Sequence, residues 1–397
     1  MFLEAGLSQE SNVNCLNNYL FFLNDIHTKK GLKILPIIVA IILSYFFLHY
    51  IANEVEGRNF AELALGKDTS TYFAEYQDKK IHCEDILNAD ECIVPYKNSN
   101  KESVILLLGN SQLHAINQMK DGDKSAPLIL HEEFIDSSKY FMSFSQPNAN
   151  IQEHYVLFEY LRNQIKIDTL ILSIFFDDMR EEGVRPGLLD ILKDDTVVLS
   201  LRKTEIGQNI VKRYLKTESD SDPTLFSTKT FQEDFEKYLG EKLAEVSYLW
   251  TSQKDLDSFI WMSLYKLRNY IFNIDPSTKR RKIQARYDNN LNALLSILEI
   301  SKNNNINLIL YIPPIRDDVS IPYDLDDYEE FKEDIMLSAK AYGYQSQNYE
   351  NIVPAEFWGL KDSTKVGGES EIDFMHFQSI GHQKLAYKLL LKLRDCN

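Results

Sequence analysis

Four nearly continuous runs of apolar residues predict strands that are buried on both faces. They are Val104–Gly109, Tyr140–Ser145, Thr169–Phe176 and Asn307–Pro314. Strands of this kind belong to parallel sheets that are covered by helices on both sides. Weaker patterns predict short strands at 128–130 and 346–352.

Segments with helical periodicity separate these strands. They are 113–119, 150–166, 284–303, 324–342 and 379–394. The alternation of strands and helices predicts an α/β fold, with a three-layer αβα architecture and a doubly wound, mainly parallel sheet. Residues 181–282 interrupt the alternation and predict a helical insertion within an α/β domain that covers 101–397.

Residues 34–52 form the longest apolar stretch, with 19 residues and no formal charge. A helix of about 20 such residues crosses the hydrocarbon core of a bilayer, so we predict one transmembrane helix. One alternative is a buried core helix, although such helices rarely stay apolar on every face. The other is a cleaved signal peptide; the 33 preceding residues and the lack of a small-x-small site after the run favour an anchor.

Charges on either side of this segment predict its orientation. Three lysines precede it and two glutamates follow it, namely Lys29, Lys30 and Lys33, and then Glu54 and Glu56. Lysine and arginine are in excess on the cytoplasmic side of a membrane helix. Residues 1–33 are therefore expected in the cytoplasm, and the remainder as an extracytoplasmic or periplasmic domain. Residues 53–100, which are polar and weakly periodic, are expected to form a stem.

The exported region contains two closely spaced cysteines, Cys83 and Cys92. Disulfides persist in oxidising compartments, so we predict a bond between them; two buried free thiols are the alternative. Cys15 lies on the predicted cytoplasmic side. The cysteines and histidines lack the spacing of a metal site, and neither a metal nor a cofactor is expected.

Composition narrows the classes of function. The chain has 397 residues, of which 44% are apolar, with only 15 glycines and 11 prolines, so a low-complexity or linker-like protein is excluded. It has 43 basic and 59 acidic residues, a net charge of −16. A chain this acidic repels phosphates, and no nucleic-acid partner is expected.

The first predicted strand ends in Gly109-Asn110-Ser111-Gln112. Ligands bind beyond the carboxyl ends of the strands in open α/β sheets. Gly109 permits a tight turn, and Ser111 would lie near the N-terminus of the helix predicted at 113–119, where N–H groups favour an oxyanion. Ser111 is therefore a candidate nucleophile; the alternative is a serine that only caps this helix.

A second candidate motif, Asp373-Phe374-Met375-His376, precedes the last predicted helix. A hydrolytic serine needs a base, and that base needs an orienting carboxylate. Asp373 and His376, three residues apart on a turn, can share a hydrogen bond through Nδ1 and leave Nε2 for the serine. The alternative is a surface aspartate and a histidine that caps the helix.

Two further strand exits carry charged residues. Asp177, Asp178 and Arg180 follow the third long strand, and Arg316 follows the fourth. We treat all four as substrate-binding candidates, since an arginine can hold an anionic or hydroxyl-rich ligand. Structural ion pairs are the alternative at both exits.

The order of these motifs resembles the SGNH/GDSL hydrolase superfamily. Gly109-Asn110-Ser111 is similar to its nucleophile block, usually Gly-Asp-Ser, and Asp373 with His376 is similar to its terminal Asp-x-x-His block. The resemblance spans residues 104–394. It implies Ser111 as nucleophile, His376 as base and Asp373 as the residue that orients the base.

Two other blocks of that family differ here. Where the family has a glycine whose N–H contacts the oxyanion, the loop at 146–150 offers Asn148 or Asn150 as donor instead. Where the family has Gly-x-Asn-Asp, residues 175–178 put Asp177 in place of an amide donor. An ionised carboxylate repels an oxyanion, so Asp177 is expected to be protonated, aimed elsewhere or absent from that contact.

A membrane-tethered domain of this kind is similar to the proteins that work beside membrane-bound O-acyltransferases, such as the lipoteichoic-acid D-alanylation protein and the alginate O-acetylation proteins. This resemblance implies a serine esterase or O-acyltransferase that acts on a cell-surface polysaccharide or glycopolymer, with a membrane-bound O-acyltransferase as partner. Two alternatives stay open. One is an accessory protein with a weak or inactive site, and the other is an anchored α/β receptor domain in which Ser111 and His376 never meet.

Overall fold

Strands and helices follow one another along the chain much as the apolar pattern predicts. The computed structural model describes residues 31–56, 63, 65, 66, 68–220, 242, 247–275 and 277–395. The strands in these residues are β1 (Thr69–Thr71), β2 (Glu75–Tyr76), β3 (Lys79–Lys80), β4 (His82–Cys83), β5 (Ser103–Asn110), β6 (Ala115–Asn117), β7 (Lys139–Gln146), β8 (Ile167–Ser173), β9 (Asn307–Ile312), β10 (Gln345–Asn348), β11 (Trp358–Lys361) and β12 (Glu371–Phe377). The helices are α1 (Gly31–Val55), α2 (Ala89–Lys97), α3 (Ala126–Glu133), α4 (Ile151–Gln164), α5 (Pro186–Leu189), α6 (Asp195–Leu201), α7 (Glu205–Asp220), α8 (Tyr248–Thr251), α9 (Gln253–Ile271), α10 (Gln284–Asn303), α11 (Leu325–Ala341) and α12 (Ser379–Asp395). The long strands and four of the predicted helices are confirmed, with small shifts of their ends.

Six strands form one sheet in the order β10-β9-β8-β5-β7-β4. Every neighbouring pair in this sheet is parallel, as the continuous apolar runs predict. The chain enters this sheet at the edge strand β4, continues at β5, adds β7 between β4 and β5, and then crosses to β8, β9 and β10 on the other side of β5. The strand order therefore reverses between β5 and β8, which is where doubly wound sheets bind ligands at their carboxyl edge.

Alternate residues of β5 enter two separate hydrophobic cores. Leu106 and Leu108 pack in the core that contains residues of α4, α10 and α11. Ile105 and Leu107 pack in the core that contains residues of α3 and α12. A polar side chain at any of these positions would lie in one of the two cores without a partner, which explains why the strand is apolar throughout.

The helix predicted at 113–119 is wrong. Residues 111–113 form a single 3₁₀ turn, and β6 follows it and pairs antiparallel with β1. Gln118, at the end of β6, has φ of 52°, so the chain leaves this segment in a left-handed conformation instead of a helix. Tertiary pairing with β1 thus overrides a short apolar pattern that fits a helix equally well.

The strand predicted at 128–130 is also wrong, because these residues lie within α3. Ser125 occupies the N-cap position and Pro127 lies in the first turn. Serine is preferred at the cap and proline is tolerated there, since the first N–H groups of a helix have no partner within it. Leu130 and Ala126 are fully buried against the sheet.

Part of the segment assigned to a stem belongs to this sheet. β4 pairs parallel with β7 at the edge, and the predicted disulfide joins Cys83 of β4 to Cys92 of α2. Ala74 and Ile81 are fully buried in the same core as Leu106. Residues 68–100 therefore form an edge of the α/β unit.

The described residues divide into two compact units. Residues 31–56 and 247–260 belong to the first, and the second contains the sheet, from residue 63 to 220 and from 261 to 395. The described part of the predicted insertion, 181–282, is mainly helical and contains α5 to α9. In the first unit, Pro36–Val55 of α1 is long and apolar enough to span a membrane, with a mean hydropathy of 1.8.

Candidate active site

Ser111 lies directly beyond the carboxyl end of β5, at the first residue of the 3₁₀ turn. Asn110 caps this turn by accepting a hydrogen bond from the Gln112 N–H at 3.3 Å, so Ser111 is not itself a helix cap. Gly109 does not adopt a left-handed conformation; it is needed for space, because a Cβ there would lie 2.6 Å from the Leu113 side chain. The Ser111 hydroxyl faces the imidazole of His376, with 2.9 Å between Oγ and Nε2.

His376 and Asp373 lie in an irregular part of β12, not on a turn before the last helix. Leu360 of β11 pairs with Ile372, and Trp358 pairs with Phe377, so four residues of β12 oppose a single residue of β11. The Asp373 carboxylate holds this bulge, because its Oδ1 accepts hydrogen bonds from the N–H groups of Met375 at 2.9 Å and His376 at 3.0 Å. The bulge turns the imidazole towards Ser111.

The same carboxylate orients the imidazole of His376. Nδ1 of His376 lies 2.9 Å from Oδ2 of Asp373, and both side chains are buried. Burial alone would raise the pKa of Asp373, but the charge and hydrogen bond of His376 and the Met375 N–H outweigh it and hold this pKa below its ordinary value. An ionised Asp373 accepts the Nδ1 proton and leaves Nε2 to act on the serine hydroxyl. The three residues therefore form a hydrogen-bonded Ser-His-Asp chain.

Gln112 is a site residue for which the sequence offered no role. Its side chain is buried, and Nε2 donates hydrogen bonds to the carbonyl oxygens of Pro314 at 2.8 Å and Met375 at 2.7 Å. The first carbonyl follows β9 and the second lies between Asp373 and His376 in the bulge. Gln112 thus connects the end of β5, the loop after β9 and the bulge of β12 at the Ser-His-Asp chain.

A cavity of about 350 Å³ opens beside Ser111. Residues from several strand ends line it, together with residues 265–280 from the last part of the predicted insertion. The polar and charged residues among them include Asn110, Ser111, Asn148, Asp177, Asp178, Arg180, Glu181, Arg268, Asn269, Asp275, Arg280 and Lys361. This volume is within the range of about 300–1,000 Å³ that is usual for small-molecule sites.

The two asparagines proposed as oxyanion donors have different positions. Asn150 is buried and caps α4, with its side chain accepting from Glu153 N–H at 3.0 Å and donating to the Gly183 carbonyl at 2.8 Å. Asn148 lines the cavity, and its φ of 51° is the left-handed conformation that glycine adopts most readily. Asparagine is one of the few other residues that tolerate it.

Asp177 is occupied by ion pairs. Its carboxylate accepts hydrogen bonds from Arg180 at 3.1 Å, from Tyr323 at 3.0 Å and from Arg280. Burial alone would lower the pKa of Arg280. Asp177 and the Tyr323 hydroxyl outweigh burial and hold this pKa above its ordinary value. Asp177 and Arg180 therefore hold the returning segment of the insertion in place, which is the structural alternative that the sequence left open.

The Asp178 carboxylate contacts Asn110, which caps the turn that carries Ser111. It is buried, accepts from Phe175 N–H at 2.8 Å and accepts from the Asn110 side chain at 3.2 Å. Burial raises the pKa of Asp178 well above its ordinary value, against the opposing effect of these two hydrogen bonds. Asp178 thus acts on Ser111 through Asn110.

Arg316 also has a structural partner, and it does not line the cavity. Its guanidinium forms two hydrogen bonds with Asp318, at 2.6 and 3.0 Å, and one with the Gly359 carbonyl at 3.0 Å. Its backbone N–H donates to the Phe374 carbonyl at 3.4 Å. Arg316 ties the loop after β9 to β11 and to the bulge of β12.

Comparison with known proteins adds no family to this description. A scan of the sequence against protein-family models and a search of curated proteins gave no match. The geometry of Ser111, His376 and Asp373 is therefore the observation from which the chemistry of the chain is inferred.

Proposed function

We propose that the chain is a membrane-anchored serine esterase or O-acyltransferase of the SGNH type, which acts on a cell-surface polysaccharide or glycopolymer. The hydrogen-bonded chain from Ser111 Oγ to His376 Nε2, and from His376 Nδ1 to Asp373 Oδ2, carries this proposal. Both distances are 2.9 Å, within the reach that proton transfer from the nucleophile requires.

In the proposed reaction, His376 takes the proton of the Ser111 hydroxyl as its oxygen attacks the carbonyl carbon of an ester. The tetrahedral intermediate collapses, the C–O bond to the alcohol breaks, and His376 returns the proton to the leaving alcohol. Water then attacks the acyl-serine in hydrolysis, or a glycan hydroxyl attacks it in transfer, with His376 again as base. The Ser111 N–H and the Asn148 amide are the proposed oxyanion donors.

The proposed location is the outer side of the cytoplasmic membrane, with α1 as the anchor and the N-terminus inside. The apolar segment Pro36–Val55 and the three lysines before it support this orientation. The disulfide between Cys83 and Cys92 fits an oxidising compartment. A membrane-bound O-acyltransferase that supplies the acyl group is the proposed partner.

The test is labelling of the full chain, in detergent, with a fluorophosphonate probe, together with hydrolysis of 4-nitrophenyl acetate. Ser111→Ala is expected to abolish labelling and to lower kcat by at least about 10³-fold, and His376→Ala should have a similar effect. The double variant should be no worse than either single variant, because the residues act as a unit. Ser320→Ala, at an exposed serine, is the matched control and should leave labelling and turnover unchanged.

Full turnover by Ser111→Ala would refute the nucleophile assignment. An unlabelled, inactive wild-type chain would instead favour the accessory protein on the same fold. One observation favours that second function: the Asn150 amide and the Asp177 carboxylate are both engaged elsewhere, so among the described residues Asn148 is the single side-chain amide assigned to the oxyanion.

A further inference from the structure

Two of the cationic side chains that line the cavity beside Ser111 form no salt bridge within the described residues. Arg180 and Arg280 share Asp177, and Asp275 pairs with Lys365 at 2.6 Å. Arg268 and Lys361 line the same cavity and have no carboxylate partner in the described part of the chain. Two lining acids, Asp178 and Glu181, likewise have no cationic partner there; Asp178 is buried, and Glu181 is exposed, as is Arg268.

Arg268 is oriented by neutral groups. Its Nε and one terminal nitrogen donate to the Asn269 side-chain oxygen at 3.2 and 2.8 Å, and its guanidinium lies 4.9 Å from the centre of the Tyr265 ring. Asn269 is fully buried and is itself held by the Thr364 carbonyl at 3.0 Å. The arginine is thus held in place while its charge and its remaining terminal nitrogen stay available to a ligand.

Lys361 is the second lining cation without a salt bridge, although Glu371 lies opposite it in the strand pair and accepts hydrogen bonds from Ser363 and Thr364. Lys361 ends β11, which pairs with the strand that carries Asp373 and His376, and it is half-buried. It lies close enough to Asp373 to act on that carboxylate through its charge.

The net charge of the whole chain gives these two cations their context. Its net charge is −16, and its long-range field repels anions. Four basic and four acidic residues line the cavity that contains Ser111, so its lining is balanced in formal charge although the whole chain is acidic. Arg268 and Lys361 could each form a charge-assisted hydrogen bond with an anionic ester, which is stronger than the hydrogen bond that they could form with a neutral one.

We propose that Arg268 and Lys361 form an anion subsite, and that the ester substrate carries a phosphate or carboxylate group on its alcohol part, beside the scissile bond. This inference rests on the proposed esterase or acyltransferase function. We place the anion on the alcohol because a cavity of about 350 Å³ is much larger than a short acyl group. The subsite thus selects for charged glycopolymers over neutral ones.

Three acetylated sugars test this with the full chain in detergent, by acetate release in a pH-stat. They are the O-acetyl esters of methyl glucoside, which is neutral, of glucose 1-phosphate and of methyl glucuronoside. Either charged ester, or both, should exceed the neutral ester in kcat/KM by about tenfold or more, and the preference should shrink at high salt. The two charged esters distinguish a phosphate from a carboxylate ligand.

Arg268→Gln and Lys361→Gln should each lower kcat/KM for the preferred charged ester about tenfold more than for the neutral ester. Lys340→Gln removes an exposed charge near the end of α11 and should leave all three substrates unchanged. Equal rates on all three esters by wild type, or equal losses on all three in the variants, would overturn the subsite.

Binding measured by calorimetry separates this inference from the proposed function. In Ser111→Ala, glucose 1-phosphate or methyl glucuronoside should bind, and Arg268→Gln in the same background should weaken that binding about tenfold. Absence of binding would overturn the subsite whether or not the wild type is a hydrolase. Binding without any ester hydrolysis or fluorophosphonate labelling would support the subsite and refute the catalytic role of Ser111.

Discussion

At the scale of single residues, Asp373 has two tasks, and one substitution separates them. Oδ1 accepts the backbone N–H groups of Met375 and His376, while Oδ2 faces the imidazole Nδ1. Asp373→Asn can keep the first task with its carbonyl oxygen, but its NH₂ then faces Nδ1 and forces Nδ1 to become an acceptor. The Nε2 proton then points at Ser111, so we expect kcat to fall by roughly 10²–10⁴-fold while the fold is retained.

Measurement of 4-nitrophenyl acetate turnover beside thermal unfolding tests this expectation. The pKa of Asp373 is lowered in the folded state, so its charge contributes stability above the unfolded-state value of about 3.9. That contribution is lost as the pH falls through the lowered folded-state pKa. Wild type and Asp373→Asn should therefore differ most in stability above about pH 5 and converge in acid. A variant with unchanged turnover would exclude Asp373 as the orienting residue.

Asp177 leads to a different expectation, because its single carboxylate pairs with two guanidinium groups. Asp177→Asn leaves Arg180 and Arg280 without a counter-charge in a half-buried site. We expect a loss of about 1–3 kcal/mol in the free energy of unfolding and a lower kcat/KM, because residues 277–282 lose their anchor at the cavity. Denaturant unfolding measures it, with Glu132→Gln, which breaks an exposed pair with Lys124, as the control. A variant that is as stable and more active would mean that Asp177 repels the oxyanion.

These residues show which parts of the site could be predicted from the sequence and which could not. Ser111 could be placed at the carboxyl end of a parallel strand, and the order of the two motifs paired it with Asp373 and His376. The antiparallel strand β12 that carries those two residues, outside the parallel sheet, was not predicted. The partners of Asp177 could not be predicted, since Arg280 and Tyr323 are 103 and 146 residues away and no periodicity connects them to it. Asn148 was a candidate, but its left-handed φ became known only from the structure.

At the scale of elements, the site depends on how the end of β5, the loop after β9 and the bulge of β12 are held together. β5 contributes Ser111, the loop after β9 contributes the Pro314 carbonyl, and the bulge of β12 contributes His376. Gln112 connects all three through one buried amide nitrogen. The sequence could not assign this role, because glutamine after a strand is compatible with any turn, and the predicted helix at 113–119 would have turned it elsewhere.

Gln112→Glu tests whether this connection positions the base. Glutamate has the same shape but donates no hydrogen bond at neutral pH, so the Pro314 and Met375 carbonyls lose their partner in a buried place. We expect kcat to fall by at least about tenfold with little change in KM, because the distance from His376 to Ser111 changes while the cavity does not. Gln383→Glu, at an exposed position on α12, is the control and should be neutral. A loss of stability with normal kcat would indicate a purely structural role.

At the scale of the whole molecule, charge and apolar length define two environments. The first 52 residues hold three basic and three acidic residues, so the net charge of −16 belongs to the remainder. The apolar part of α1 separates the two regions. Under the proposed orientation, the acidic remainder faces the cell envelope, and the cavity, with equal numbers of basic and acidic lining residues, is less acidic than the rest of it.

This orientation can be tested with the cysteines of the chain. If the N-terminus is inside, Cys15 is shielded from a membrane-impermeant maleimide in intact spheroplasts and reacts only after permeabilisation. A cysteine introduced as Ser320→Cys, in a Cys396→Ser background, lies on the exposed surface of the α/β unit and should react at once. Cys83 and Cys92 should not react in either state, since their disulfide requires an oxidising compartment. Labelling of Cys15 in intact cells, or free thiols at Cys83 and Cys92, would reverse the topology. The Ser-His-Asp chain would then face the cytoplasm, where a cell-surface polymer could not be its substrate.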